Sequence, residues 1–215
     1  MKHSQGVGVF ILVSLVLVMT SCDPPKEEVD PDLEQMRRDI EASFEEFDNR
    51  TIYKTLDPDI ILSIPEDKLE QAVFDYIAEK IGADWNRERE VVESLGAGFR
   101  AHYATWTLEA EVNNGGYNQF FWNSSGYWIH EAIAGFRLFG ATDYAENAEE
   151  ALRIYELEQE SQNRFKEQGT LEAFSESYEH TDLGAVDDQF FNIKEDLSQL
   201  KVEYIRANPL QFSGD

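Results

Sequence analysis

Apolar positions along most of this chain return every three or four residues, the period of a helix face. Leu33, Met36, Ile40, Phe44 and Phe47 predict an amphipathic helix over 31–48, with Asp30 as N-cap and Pro31 in its first turn. Residues 51–62 are mixed: Ile52, Tyr53, Ile60, Ile61 and Leu62 suit a short strand or an extended packing segment. Ser63-Ile64-Pro65-Glu66 has the capping-box pattern, and Leu69, Val73, Ile77 and Ile81 follow at i+4 steps until Gly82. A long helix is predicted over 88–112, with Gly96 and Gly98 weakening its middle as candidates for a break. Asn113-Asn114-Gly115-Gly116 reads as its stop, and a short aromatic segment, 117–122, comes next. Further helices are expected over 128–138, from an N-cap at Thr142 to about Tyr155, over 170–178 and over 185–206. A polar connection covers 160–169, and Asn208-Pro209 ends the last helix. The pattern predicts an all-α fold. Residues 31–64 form an N-terminal helix and extended segment, and 65–212 a compact multi-helix domain.

What precedes residue 31 has a different character. Met1-Lys2-His3 is a short positive start, and residues 7–18 (VGVFILVSLVLV) are an apolar run. Twelve residues are too few to span a hydrocarbon core of ~30 Å, which needs about 20, so the run reads as a cleaved export signal over 1–21. It leads into Cys22, the only cysteine of the chain. Val18-Met19-Thr20-Ser21-Cys22 resembles the lipobox of bacterial lipoproteins, which implies cleavage before Cys22 and diacylglycerol on its sulfur. Residues 22–30 then form a Pro-rich, charged tether. The expected location is the cell envelope, anchored by lipid, with inner and outer membrane both open.

Charge narrows the partners. The 215 residues carry 43 acids against 18 bases, a formal −25. Such a body repels phosphates, so direct nucleic-acid binding is not expected. The 42% hydrophobic content nonetheless supplies a core. One cysteine forms no internal disulfide and no cysteine metal cluster. The acids are uneven: twelve against three bases over 143–182, and eleven against four over 23–50.

The centre of the chain reads LEAEVNNGGYNQFFWNSSG over residues 108–126. This block resembles the signature of the DNA-mimic protein 19 family, with Glu111, Asn113, Asn114, Gly115, Gly116, Gln119, Phe120, Asn123 and Gly126 carrying the likeness. The resemblance continues through Gly140-Ala141, Asp188, Phe190, Phe191 and the ending Tyr204-Ile205-Arg206-Ala207-Asn208-Pro209. It implies a compact, acidic, largely helical domain. The family's named member occupies the DNA site of a transcription factor, an activity that rests on surface carboxylates and not on the signature. Here the export signal points to a basic protein partner in the envelope instead.

Two readings of the signature block stand side by side. From Val112 to His130 there is no Asp, Glu, Lys or Arg, and there are six aromatics. These residues suit a buried turn, in which the glycines supply unusual backbone angles and the amides satisfy backbone groups. They also suit a groove for a glycan or peptide. The acidic stretch has two readings as well. Glu146, Glu149, Glu150 and Glu156 are candidates for a recognition ridge, while such runs also simply solvate a surface.

Catalytic and metal motifs are missing. The positions three before His102, His130 and His180 hold Phe99, Tyr127 and Ser177, not the glutamates of a bundle di-iron site. There is no H-E-x-x-H, nucleophile elbow or P-loop, and Glu109 and Glu111 point to different faces of a helix. The expectation is a non-catalytic binding module without cofactor or metal.

Overall fold

A computed structural model describes residues 31–214. The export signal, Cys22 and the tether lie outside the described residues. The chain falls into two units, one ending at Arg50 and one beginning at Thr51. The first contains helix α1, Pro31–Asp48, with the bounds the apolar stripe predicts.

The second unit is all-α. Its helices are α2 (Pro58–Ser63), α3 (Glu66–Ile81), α4 (Glu88–Ser94), α5 (Ala97–Trp122), α6 (Ile129–Phe139), α7 (Thr142–Lys166), α8 (Leu171–Ser177), α9 (Gly184–Phe190) and α10 (Leu197–Ala207). The centre is α5, which buries Phe99, Tyr103, Ala104, Leu108, Val112, Tyr117 and Phe120 on several faces. Helix α6 lies directly on it. An added Cβ at Gly135 would stand 2.9 Å from the Ala101 carbonyl, so only glycine allows that approach. Helix α7 adds Ala145, Ala148, Ala151 and Ile154 to the same core. Helix α3 buries Leu69, Val73 and Ile77, the i+4 series of the sequence.

Several expectations are corrected, four of them by a tertiary partner or an overlooked cap. Residues 58–63 are helix, not strand, because the Asp57 side chain accepts the Ile60 N–H at 2.8 Å and Pro58 starts the turn. Ser63 therefore closes α2, donating to the Ile60 carbonyl, and does not cap α3. The guanidinium of Arg206 binds the carbonyls of Ile61 and Ile64, and Leu56 pairs with Gly214 in an antiparallel bridge. With Leu56, Ile61 and Ile64 in the common core, the compact unit begins at Thr51 and not at Pro65.

The helix predicted over 88–112 breaks at Leu95-Gly96 and then runs past its expected stop to Trp122. Helix α7 extends to Lys166, into the connection expected over 160–169. Its first turn is capped by Glu195, whose carboxylate accepts the N–H groups of Thr142 and Asp143 at 3.0 Å each, and not by Thr142. The single helix predicted over 185–206 is two, α9 and α10, the second capped by Asp196. Among the described residues no helix is long and apolar enough to cross a membrane.

Candidate functional site

The signature block is a kink inside α5. Gly115 has φ −161° and ψ 24°, and Gly116 has φ +72° and ψ −179°, a combination essentially confined to glycine. Side chains from later in the chain take the backbone groups at the bend. The Tyr178 hydroxyl donates to the Gly115 carbonyl at 2.8 Å. The Tyr117 N–H donates to Asp187 Oδ1 at 2.7 Å. A Cβ added to Gly116 would lie 2.3 Å from Asp187 Oδ2, so the carboxylate fills the space a side chain would need. Burial pushes the Asp187 carboxyl above its ordinary pKa, against the lowering effect of the Tyr117 N–H.

Glu111 ties the two sides of the bend together. It accepts from Gln119 Nε2 at 2.7 Å, from Asn123 Nδ2 at 2.9 Å and from Ser125 Oγ at 2.8 Å. Glycine at 115 leaves room for Gln119, since a Cβ there would stand 2.3 Å from its Oε1. Gly126 lets the following turn approach Phe120 and Phe121, and Phe120 is fully buried. Asn113 donates to the Glu109 carbonyl, and Asn114 is exposed.

The aromatic block is core except for Tyr127, which is exposed. Tyr117, Phe120, Phe121 and Trp128 are buried, and Trp122 packs its half-buried ring against Phe174. Two shallow grooves, of about 360 and 340 Å³, lie between α6 and α7 and beside Tyr76 and Phe99. No residue of 112–128 lines either, and only His130 of the uncharged block reaches the first. The geometry is that of the buried turn.

The acidic candidates divide. Glu146, Glu149, Glu150 and Glu156 share one side of α7, with Glu146 and Glu156 exposed. Glu149, however, pairs with Arg137 of α6, and Glu150 with Arg153 at 2.6 Å. The Arg153 hydrogen bond holds the Glu150 carboxyl below the ordinary range. Half of the expected ridge is thus neutralised.

Uncompensated charge lies further on. Residues 167–193 contain seven acids and no Lys or Arg. Glu167, Glu172, Glu176, Glu179, Asp182 and Asp188 are exposed. Among the described residues their one ion-pair distance is His180 to Glu176, 4.0 Å. Leu171 and Phe191 stand exposed in the same stretch, at 79% and 56%.

The kink holds this acidic segment on the bundle. Besides Tyr178 and Asp187, Asn118 donates to Ser177 Oγ at 2.8 Å. Asn147 accepts the Tyr117 hydroxyl at 2.8 Å and donates to the Val186 carbonyl at 3.0 Å. Buried Gln162 donates to the His180 carbonyl at 3.0 Å, and Glu158 accepts the Asp182 N–H at 2.8 Å. Sequence reasoning passed over Asp187, Asn147 and Glu158, polar residues whose partners lie 24–70 positions away.

It also passed over a buried charge cluster. Lys201 is 1% exposed, with Nζ 2.8 Å from Glu109 Oε2 and 3.2 Å from Glu70 Oε2. Beside it, His102 is fully buried with Nε2 3.0 Å from the Glu70 carbonyl, while its Nδ1 has no hydrogen-bond partner. Burial, reinforced by the charge of Lys201, pushes the His102 pKa down to about 3. The cluster ties α3, α5 and α10 together, and neither groove opens onto His102 or Lys201. Among the described residues no three His, Cys, Asp or Glu side chains are grouped to hold a metal ion.

A family model described as DMP19-like protein matches residues 93–208, more than half of the chain. The chain belongs to the DMP19-like family. The matched stretch includes the kink, the acidic segment and Lys201. No curated protein and no solved structure matches the chain.

Proposed function

We propose that this is a membrane-anchored lipoprotein whose DMP19-like domain binds a basic protein partner in the cell envelope, without catalysis. The observation that carries the reading is the run of seven acids over 167–193, six of them exposed and with no Lys or Arg among them, held on the bundle through the signature kink. A segment whose backbone is fixed on the bundle favours recognition over mere solvation, because little backbone ordering entropy is lost on binding. Membership of a family named for a DNA mimic fits a partner that otherwise contacts phosphates. The exposed Leu171 and Phe191 add apolar area to that face.

Capture of envelope proteins at low salt is expected to recover a basic protein that duplex DNA displaces and that 0.3 M salt releases. Glu172→Gln, Glu176→Gln and Glu179→Gln together should weaken it about tenfold, each exposed charge contributing ~0.2–1 kcal/mol. The melting temperature should hardly move. Glu149→Gln and Glu150→Gln, which remove carboxylates already paired with arginine, should have a smaller effect on binding. No basic protein displaced by DNA, or equal loss from both sets, would refute the acidic-face reading.

The anchor rests on Cys22 following an apolar export signal. Cys22→Ser is expected to abolish acylation and leave uncleaved precursor or soluble protein. Unchanged processing and membrane fractionation of the serine variant would remove the lipoprotein reading.

A further inference from the structure

We propose that α1 lies in the plane of the membrane surface, with the stripe Leu33, Met36, Ile40, Phe44 and Phe47 seated among the acyl chains of electrically neutral lipids. The inference rests on the reading of Cys22 as the acylated residue. All five stripe residues are 49–61% exposed. Their steps of three, four, four and three place them within an arc of roughly 80° at 100° per residue, and every charged residue of the helix falls outside that arc. An isolated helix of this length is marginal in water, and helices in proteins owe most of their stability to covering an apolar face. α1 therefore needs an apolar surface.

The position of the helix in the chain says which surface. Eight residues separate Cys22 from Pro31, a reach of at most roughly 30 Å. An acylated Cys22 thus holds α1 at the lipid interface at high effective concentration. At 18 residues, seven of them acidic and two basic, α1 cannot span a bilayer, but it has the segregated faces of a helix that lies on one. Its net −5 selects against anionic headgroups. Arg37 and Arg38 stand 3.7 and 3.5 Å from Glu41 and Glu34, so they are engaged within the helix and do little to attract anionic lipid. The same −5 opposes pairing with a second copy of α1.

The test replaces acylation with an equivalent tether. The full mature chain, with a hexahistidine in place of Cys22, is held on phosphatidylcholine vesicles doped with nickel-chelating lipid. It carries one new cysteine, Ile40→Cys or Phe44→Cys on the stripe or Arg38→Cys on the polar face, labelled with a polarity-sensitive fluorophore. Quenching by iodide should fall at least threefold on the vesicles at positions 40 and 44 and stay unchanged at 38. Replacing half of the phosphatidylcholine with phosphatidylglycerol should reverse most of that protection. Equal quenching at all three positions on neutral vesicles overturns the proposal. So does protection at 40 and 44 already present without lipid, which would mean that protein covers the stripe. Because the tether here is chelation, a failure of acylation appears only in the fractionation of Cys22→Ser and is distinguishable from a failure of α1.

Discussion

Gly116→Ala is expected to cost the domain about 3 kcal/mol or more, a large part of the ~5–15 kcal/mol that holds a typical domain folded. Two independent penalties add. The backbone at 116, φ +72° with ψ −179°, lies in a region that costs a non-glycine residue ~1–3 kcal/mol. The new Cβ would also sit 2.3 Å from Asp187 Oδ2, so the carboxylate must leave and the Tyr117 N–H loses its acceptor. An abandoned buried donor costs ~1–3 kcal/mol. Gly115→Ala should be milder. Its φ of −161° is open to any residue, so the cost there is mainly the Gln119 amide, which the new Cβ would push off Glu111. Urea melts of Gly116→Ala, Asp187→Ala and the double variant check this. The double variant should lose less than the sum of the singles, because both remove the same Asp187–Tyr117 bond. A cost below 1 kcal/mol for Gly116→Ala, or strict additivity, would mean that the kink is not held by Asp187.

That pair also marks where sequence reasoning ends. The Asn-Asn-Gly-Gly run is readable as a backbone irregularity because glycine freedom is a local property. It reads as a helix end, yet the helix resumes at Tyr117. The difference lies in Asp187 and Tyr178, more than sixty residues later, which satisfy the bent backbone. Thr142 is a parallel case. A plausible N-cap by residue type, it is displaced from that role by the Glu195 carboxylate, 53 positions away. Local signals hold where no distant group competes: Gly82 and Gly140 end their helices with positive φ, and Thr170 caps α8.

The acidic surface is readable as a quantity and not as a place. Counting charges locates a −9 stretch over 143–182, but pairing decides which part stays uncompensated. Arg137, on a different helix, removes Glu149 from the ridge, while among the described residues the acids of 167–193 have only His180 at ion-pair distance. Lys201 did leave a trace: with Leu197 and Ile205 at i−4 and i+4, it stands on the buried face of α10. A lysine in that register needs carboxylate partners, and those partners, Glu70 and Glu109, cannot be named without the fold.

Acid should destabilise the protein through His102, beginning well above the range where carboxylates titrate. In the folded state burial and Lys201 hold its pKa at about 3, against ~6.5 in the unfolded chain. The folded state therefore binds fewer protons between these values. The stabilisation is fully present above about pH 6.5 and is lost as the pH falls toward 3. Between pH 6.5 and 4.5 this one group should remove about 2 kcal/mol, from ~1.4 kcal/mol per pH unit once the unfolded histidine is largely protonated. Protonation would place a second cation beside Lys201, which Glu70 and Glu109 already engage. His102→Gln retains a donor for the Glu70 carbonyl and removes the titration. Urea unfolding at the two pH values should show the parent losing about 2 kcal/mol more than this variant. Lys201→Met should cost about 3 kcal/mol at neutral pH by leaving Glu70 and Glu109 without their shared cation. It should also flatten the pH dependence, since one cause of the low His102 pKa is gone. Identical pH slopes in parent and His102→Gln would show that His102 is reached by solvent or protonated in the folded state, contrary to its burial.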